Sequence, residues 1–263
     1  MSTVKYPIYI ISKGRADIPY TANFLKKADL DFKIAVEPQE YEAYCDSIGE
    51  KYVLKLPFSN LGLGSYPARN YCWEHSIEHG AKKHFILDDN IRGFYRFNNG
   101  KRLKAPNDTA LAFETLAKLT DRYYNIAISG FNYSYFCVQG NMKPFQINSH
   151  VYSGMLIKND IPYRWRLKYN EDVDLCLQAL TDGWCTLLLN VFLIDKISTT
   201  VKLKGGNQTD LYKSNDEKKK YLKANSLQKL WPQYVNIVER YGRPHHQVSW
   251  TKYFKQPLKK ISS

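Results

Sequence analysis

Hydrophobic residues in the first third of the chain fall into short β-branched runs, and stretches with helical spacing separate these runs. The runs predict strands at residues 7–12, 32–36, 52–56 and 84–87, with helices at 20–28, 40–47 and 67–79. Strands that alternate with helices of this length are typical of crossover units. The pattern therefore predicts an α/β fold with a mostly parallel, Rossmann-like sheet flanked by helices.

The second half of the chain shows a less regular pattern. It predicts helices at residues 109–124, 171–181 and 217–241, the last one interrupted near Pro232, and strands at 125–132, at 146–158 as one strand or a pair, and at 184–194. We expect residues 1–210 to form one domain and residues 211–263 to form a basic, aromatic and helical C-terminal extension packed on it.

Composition narrows the class of protein. Hydrophobic residues make up 44% of the 263 residues, so a sizeable core is expected. The apolar runs are too short to cross a bilayer, and the N-terminus lacks the pattern of a secretory signal. The five cysteines include no CxxC pair, which favours buried thiols over disulfides or a zinc site. We expect a soluble cytoplasmic protein without a membrane partner.

Positive charge is concentrated at the C-terminal end. The net charge is +13, and residues 201–263 hold 14 Lys or Arg against 4 Asp or Glu, a surplus of 10. Such a surplus indicates a polyanionic partner, most commonly nucleic acid, or else a solubilising tail. Aromatic residues interleave with the lysines, which favours nucleic acid and makes Lys218, Lys219 and Lys220 candidate contacts.

An acidic turn, Asp88-Asp89-Asn90, directly follows the fourth predicted strand. Adjacent carboxylates repel one another unless a cation or hydrogen-bond donors neutralise them. A divalent metal that bridges nucleotide phosphates would do so, whereas the alternative is a surface turn with a capping role. Ser12 and Glu37 also follow predicted strands, and in such sheets ligands bind beyond the carboxyl ends of the strands.

A second acidic group, including Glu171 and Asp172, opens the helix predicted at 171–181. Acidic residues in a first helical turn are favoured by the helix dipole, which is the structural explanation. The functional explanation is a general base that deprotonates an acceptor hydroxyl.

Two basic features have less distinctive surroundings. Lys204 lies in a glycine-bearing basic turn that would close over a diphosphate or form an ordinary loop. The pair His245-His246 is expected at the surface rather than at a metal, and His150 is expected to be structural.

Together these motifs resemble the GT-A glycosyltransferases. The resemblance runs through Ser12-Lys13-Gly14-Arg15, Val36-Glu37-Pro38, Ala68-Arg69-Asn70, the stretch from Phe85 to Ile91, and Glu171-Asp172-Val173-Asp174. The acidic turn stands in the place of that superfamily's DxD motif. Within the superfamily the chain is most similar to the TET-associated glycosyltransferases of bacteriophages, which are thought to glycosylate hydroxymethylated pyrimidines in DNA. The likeness covers roughly residues 5 to 210.

The resemblance implies a role for each matching residue. Ser12, Arg15 and Glu37 would contact the nucleotide, and Arg69 and Asn70 would lie over it. Asp88 would contact ribose or metal, Asp89 the donor sugar, and Asn90 the metal, although Asn replaces the usual Asp there. Asp172, beside Glu171, would be the base if the reaction inverts at the anomeric carbon.

The resemblance also implies the substrates and cofactors. The donor would be a nucleoside-diphosphate sugar, a UDP-sugar being the first expectation, with Mn²⁺ or Mg²⁺ at Asp88 and Asn90. The acceptor would be modified DNA, in the cytoplasm of the host cell if a phage encodes the protein. The alternatives are a transferase that acts on saccharides or proteins, and a non-catalytic nucleic-acid-binding protein of the same fold.

Overall fold

The computed structural model describes residues 4–137, 140, 142–197, 205, 217–240 and 242–261. Its strands are β1 (Ile8–Ile11), β2 (Lys33–Val36), β3 (Val53–Lys55), β4 (Lys83–Asp88), β5 (Ile91–Asn98), β6 (Lys101–Lys104), β7 (Ile126–Tyr133), β8 (Phe145–Ile147), β9 (Gly154–Lys158), β10 (Cys185–Lys196), β11 (Val235–Arg240) and β12 (Arg243–Val248). Its helices are α1 (Tyr20–Lys27), α2 (Tyr41–Ile48), α3 (Tyr66–Glu78), α4 (Thr109–Thr120), α5 (Glu171–Thr181), α6 (Glu217–Leu230) and α7 (Trp250–Tyr253).

The predicted α/β fold with a central sheet flanked by helices is confirmed. The strands run in the order β3-β2-β1-β4-β9-β7-β10-β5-β6, and β8 pairs with β10. Strands β1 to β4 pair in parallel, as does β7 with β10, whereas β9 lies antiparallel between β4 and β7. The regular first third of the sequence thus supplies the parallel block β3-β2-β1-β4, and every antiparallel pair of the sheet includes a strand that follows Asp88.

Both faces of the sheet are buried because helices cover each of them. Ile8 and Ile10 of β1 pack in one core with α1, α2 and α4, while Tyr9 between them packs in the other core with α3 and α5. Successive strand side chains point to opposite faces, so an uninterrupted apolar run buries both. This explains why β1 and β4 are continuous apolar runs rather than alternating ones.

The C-terminal segment packs on the outer face of α5. Val173 and Leu177 of α5 share an apolar cluster with Leu227 of α6, Val235 of β11 and Phe254. The segment thereby extends to the edge of the sheet at which β1, β2 and β4 end.

The helix predicted over residues 217–241 is wrong in its second half. Helix α6 ends at Leu230, and Val235–Arg240 is a strand that pairs antiparallel with Arg243–Val248. Pro232 has no backbone N–H and disfavours a helical residue before it, which ends the helix.

A second hairpin, formed by β5 and β6, was not predicted. Asn99 and Gly100 connect its strands, with φ of 47° and 72°. Asn-Gly between two strands is a strong hairpin signal because both residues tolerate positive φ. The dipeptide is in the sequence and indicates this hairpin.

Two further features of the described residues bear on the class of protein. The cysteines at 72, 176 and 185 are buried free thiols, as expected. No helix in the described part of the chain has the length and apolar character needed to cross a membrane.

Candidate active site

A cavity of about 450 Å³ opens where the parallel strands β1, β2 and β4 end. Nine of the predicted site residues line it, namely Ser12, Arg15, Glu37, Arg69, Asp88, Asp89, Asn90, Glu171 and Asp172. They come from the ends of strands and the turns after them, from the first turn of α3 and from the first turn of α5. The topology therefore gathers side chains that are far apart in sequence, as the strand-end rule predicts.

Asp89 is held by the turn after β1. Ser12 donates a hydrogen bond to Asp89 Oδ2 at 2.7 Å, and Arg15 forms an ion pair with Asp89 Oδ1. Tyr44 of α2 shares a hydrogen bond with the Ser12 hydroxyl and accepts the backbone N–H of Arg15. Burial raises the pKa of Asp89, and Arg15 and Ser12 oppose that rise. The buried carboxylate is thus fixed and partly neutralised by its partners.

Asp88 carries one cationic partner on each carboxylate oxygen. Arg69 of α3 donates to Oδ1 at 2.7 Å, and Lys196 at the end of β10 donates to Oδ2 at 2.6 Å. Burial alone would raise the pKa of Asp88, but Lys196 and Arg69 outweigh burial and hold it well below its ordinary range. Asp88 is therefore an ionised carboxylate that two protein cations already neutralise.

Arg69 also links the acidic turn to α5. Its guanidinium lies 3.6 Å from Glu171 and 4.8 Å from the centre of the Trp165 ring, and Ser65 donates to Glu171 at 3.0 Å. Burial raises the pKa of Glu171, and Arg69 opposes that rise. Arg69 therefore fixes the relative positions of the two acidic groups.

The side-chain oxygen of Asn90 is the atom of the acidic turn most relevant to metal binding. Its amide nitrogen donates to the Ile197 carbonyl at 3.2 Å, while its Oδ1 is buried without a hydrogen-bond partner. Among the residues that the structure describes, no three His, Cys, Asp or Glu side chains cluster as metal ligands.

The predicted metal ligands Asp88 and Asn90 therefore do not fit a divalent cation. Both oxygens of Asp88 bind protein cations, which leaves a metal one neutral oxygen, that of Asn90. A dication at this turn would also face the positive charges of Lys196 and Arg69 at short range.

Asp172, in the first turn of α5, forms an acidic wall of the cavity. It pairs with His150 Nε2 at 2.9 Å, and the His150 ring lies 4.3 Å from the ring centre of Tyr152 and 6.0 Å from that of Trp250. Burial alone would raise the pKa of Asp172, but His150 outweighs burial and lowers it below its ordinary range. The expectation that His150 is structural did not foresee this contact with the candidate base.

His246 reaches the same wall from β12. It lines the cavity, and burial lowers its pKa to about 4, so it is neutral near pH 7. Its neighbour His245 is exposed, as expected of a surface residue. The hairpin of β11 and β12 thus sends one histidine of the pair to the site and the other to solvent.

Stacked tyrosines form a further wall of the cavity. Tyr133 and Tyr152 stack with ring centres 4.7 Å apart, and Tyr135 lies 5.0 Å from Tyr133. Tyr135 and Phe136 are 45% and 50% exposed, and their ring centres are 4.7 Å apart. We call Tyr133, Tyr135, Phe136 and Tyr152 the aromatic wall, which runs from inside the cavity to solvent.

The predicted glycine-bearing loop is described at one residue. Gly205 lies against the turn after β1, and its carbonyl accepts a hydrogen bond from Arg15 at 3.3 Å. Lys204 lies outside the described residues, so its predicted role is still a prediction. Lys13 pairs with Glu37 at 2.7 Å beside this contact.

The remaining predicted site residues are Asn70 and the three lysines of α6. Asn70 does not line the cavity; its amide bonds the backbone of Trp165 from both ends, at 2.8 and 3.0 Å, and so holds that ring under Arg69. The side chains of Lys218, Lys219 and Lys220 lie outside the described residues, although the backbone of α6 includes them.

Sequence reasoning missed Lys196, His150, His246 and the aromatic wall, all of which line or adjoin the cavity. Lys196 ends an apolar strand, as Asp88 does, and that position is the one signal that could have marked it. Tyr133 ends β7 and His246 lies in β12, whereas His150, Tyr135, Phe136 and Tyr152 lie between strands, and no sequence spacing relates any of them to the acidic residues.

An α/β sheet with a cavity at its strand ends that acidic and basic side chains line is typical of an enzyme that binds its ligand beyond the carboxyl ends of the strands. The family model of the TET-associated glycosyltransferases matches residues 6–206, which is 201 of the 263 residues. The chain belongs to this family, and it is a glycosyltransferase with a nucleotide-sugar donor. The resemblance inferred from the motifs is confirmed.

Two other comparisons add no functional argument. No curated protein matches the chain. A solved structure described as a nucleotide-diphospho-sugar transferase from Desulfovibrio desulfuricans G20 is 10% identical, with a TM-score of 0.42, over 72% of this chain and 80% of that one.

Proposed function

We propose that this glycosyltransferase moves a sugar from a nucleoside-diphosphate donor, a UDP-sugar first, to the hydroxyl of a hydroxymethylated pyrimidine in DNA. The observation that carries the proposal is the continuity of the cavity. Its charged floor at Asp88 and Asp89 leads to Asp172 and then along the aromatic wall to solvent.

The donor occupies the floor of the cavity in this proposal. Ser12, Arg15 and Glu37 lie at the ends of β1 and β2 and would contact the nucleotide, and Asp89 would contact the sugar. Arg15 and Lys13 place positive charge where the diphosphate would lie. Fixed charges of this kind stabilise a leaving group without reorganisation during the reaction.

Asp172 would accept the proton of the acceptor hydroxyl. Its contact with His150 fixes the carboxylate, and its low pKa keeps it ionised and able to accept a proton near pH 7. A group held in hydrogen-bond reach of the hydroxyl gains from orientation even when it is a weak base. His150 is then a positioning residue.

The acceptor side has the character of a nucleic-acid surface. Bases stack on exposed aromatic rings, and Tyr135 and Phe136 offer two such rings at the mouth of the cavity. A base in duplex DNA must leave the stack to reach an enclosed site, and stacking on these rings would offset part of that cost.

Strand β6 adds positive charge beside the aromatic wall. Lys101, Arg102 and Lys104 are all exposed, and Arg102 donates to the Ser134 carbonyl at 2.7 Å, next to Tyr135. Basic side chains alongside stacking rings are the usual composition of a surface that binds a single strand. This hairpin joins the predicted lysines of α6 as a candidate DNA contact.

The test is release of UDP from a UDP-sugar, measured with matched duplexes that contain hydroxymethylcytosine or unmodified cytosine, and with simple saccharides and peptides. Acceptor-dependent release with the hydroxymethylated duplex alone supports the proposal. Release with a saccharide or peptide and not with DNA would contradict the DNA acceptor and favour the alternative transferase. DNA binding with no release of UDP, whichever acceptor and donor are supplied, would favour the non-catalytic alternative.

A further inference from the structure

Lys196 is a buried cation at the centre of the donor floor. Its side chain is 9% exposed, and its ammonium group donates to Asp88 at 2.6 Å, to the Tyr133 hydroxyl at 3.1 Å and to the Ser153 hydroxyl. An ammonium group has three donors, so these contacts use all of them. Lys196 is therefore fixed in one position, with its charge directed at the acidic turn.

The contacts of Asp88 explain why this position matters. In a metal-bound acidic turn, a carboxylate oxygen and a second oxygen ligand hold the cation between the turn and the phosphates. Here Lys196 occupies one carboxylate oxygen of Asp88 and Arg69 occupies the other. Asp89 pairs with Arg15, and the third position of the turn is the neutral Asn90. The side chains that would attract a dication are already neutralised from within the protein.

The charge of the whole cavity leads to the same conclusion. Its lining includes five acidic residues, Glu37, Asp88, Asp89, Glu171 and Asp172, and six basic ones, Lys13, Arg15, Arg69, Lys168, Lys196 and Lys223. Leaving the histidines aside, the basic residues outnumber the acidic ones by one. A cavity with a positive balance attracts an anionic diphosphate without an added cation.

We propose that Lys196 takes the place of a divalent metal ion in this glycosyltransferase, so that donor binding and sugar transfer do not require one. The inference rests on the proposed donor site. When the donor binds, Lys196 keeps its ion pair with Asp88 and replaces one of its two hydroxyl contacts with a contact to a phosphate oxygen.

The transfer step balances without a further reactant. The bond from the anomeric carbon to the diphosphate oxygen breaks, and its electron pair leaves with the diphosphate. The acceptor oxygen bonds to the anomeric carbon, and the hydroxyl proton passes to Asp172. Lys196 and Arg15 stabilise the charge that develops on the diphosphate.

The experiment measures UDP affinity by titration calorimetry, without acceptor, in EDTA and in Mn²⁺. Wild-type affinity should agree within about twofold between the two buffers. Lys196→Met should weaken UDP binding at least about tenfold in EDTA, and Mn²⁺ should restore part of it, because a carboxylate oxygen of Asp88 becomes open. Lys196→Arg keeps the charge and should still bind UDP in EDTA.

Lys83→Met is the matched control. Lys83 forms a similar ion pair with Asp121, with 13% of its side chain exposed, but it does not line the cavity. Its variant should respond to EDTA and Mn²⁺ as the wild type does, which separates loss of a lysine–aspartate pair from loss of this particular one.

Three outcomes would overturn the inference. Wild-type binding that falls at least about tenfold in EDTA and returns with Mn²⁺ overturns it while leaving the donor site intact. If Lys196→Met binds UDP in EDTA as tightly as the wild type does, the inference is also overturned and the donor site is left intact. Absence of UDP binding in every condition overturns the donor site and this inference together.

Discussion

Asp172 and His150 form the contact on which acceptor activation depends in the proposed function. The carboxylate lines the cavity, and its only described ion pair is the one with His150, at 2.9 Å. His150 itself packs near the rings of Tyr152 and Trp250, so the position of Asp172 is set by packing as well as by charge. The two residues therefore give distinguishable expectations for substitution.

Asp172→Asn should lower the rate of transfer by about 10²–10⁴-fold, the usual scale of general base catalysis. UDP affinity should stay within about twofold, because Asp172 lies on the acceptor side. Single-turnover transfer to hydroxymethylated DNA and UDP titration are the two measurements. A variant that loses UDP affinity and keeps its turnover would place Asp172 in the nucleotide site.

His150→Phe is the companion variant. It keeps a ring against Tyr152 and Trp250 but removes the N–H that holds Asp172. A smaller loss of rate than that of Asp172→Asn is expected. An equal loss would make His150 part of the proton transfer itself.

Among the elements, the turn after β1 makes a close backbone contact with Gly205 beside the donor floor. Gly205 has φ of 76°, and a Cβ placed there would lie 2.5 Å from the Lys13 carbonyl. Gly14 in the same turn has φ of 69° and faces the Cα of Gly205. Two glycines in the left-handed region thus allow two backbones to meet beside Arg15.

Gly205→Ala should weaken UDP binding by about fivefold or more, since the left-handed region costs a non-glycine residue about 1–2 kcal/mol and the backbones must separate. The melting temperature should fall as well, because the same strain lowers the free energy of unfolding. UDP titration and thermal unfolding measure the two effects.

Gly183→Ala provides the control for backbone strain. Gly183 has φ of 84° and open space where a Cβ would lie, at the end of α5 away from the cavity. This variant should lose stability and keep its UDP affinity. Equal losses of UDP affinity in both variants would mean that the contact of Gly205 with the turn is not part of the donor site.

Across the whole molecule, positive charge lies in more than one place. The sequence concentrates it after residue 201, but the fold adds the β5–β6 hairpin at the far edge of the sheet, with Lys101, Arg102 and Lys104 exposed. None of these three pairs with a carboxylate in the described part of the chain, although Arg92 and Arg96 on β5 do. DNA that reached the cavity along the aromatic wall would pass this hairpin.

Removing the charges of Lys101 and Lys104 together should weaken duplex binding and flatten its dependence on salt. Each phosphate contact adds about −0.9 to the slope of log affinity against log salt, so the slope should become less negative by about 2. Replacement of Lys218, Lys219 and Lys220 tests the second predicted surface in the same way. UDP affinity should be spared in both variants.

Lys27 and Lys82 supply the matched control. Both are exposed and lie near the amino ends of β2 and β4, at the edge of the sheet opposite the cavity. Their joint replacement removes the same charge and should leave the salt slope unchanged. A wild-type protein that binds duplex DNA with no salt dependence would contradict both surfaces and favour a non-nucleic acceptor.

The sequence by itself determined the parallel half of the sheet and the acidic turn at its edge. Apolar runs that bury both faces, separated by helices, leave few arrangements for β1, β2 and β4. Residues that directly follow those strands must then lie together, which is why Ser12, Glu37 and Asp88 could be assigned to one site. Local pattern was sufficient because each residue's position follows from the strand before it.

Only the tertiary structure decided what neutralises and completes that site. Lys196 meets Asp88 across 108 positions of sequence. His246 comes from a hairpin whose first strand, Val235–Arg240, lies in a segment predicted as helix. The local sequence around a lysine that pairs with a buried carboxylate looks the same as the sequence around a solvent-exposed lysine. The ion pair forms only because strands from distant segments lie side by side. The physical reason is that charge pairing depends on distance in space, whereas periodicity records only which face of an element is buried.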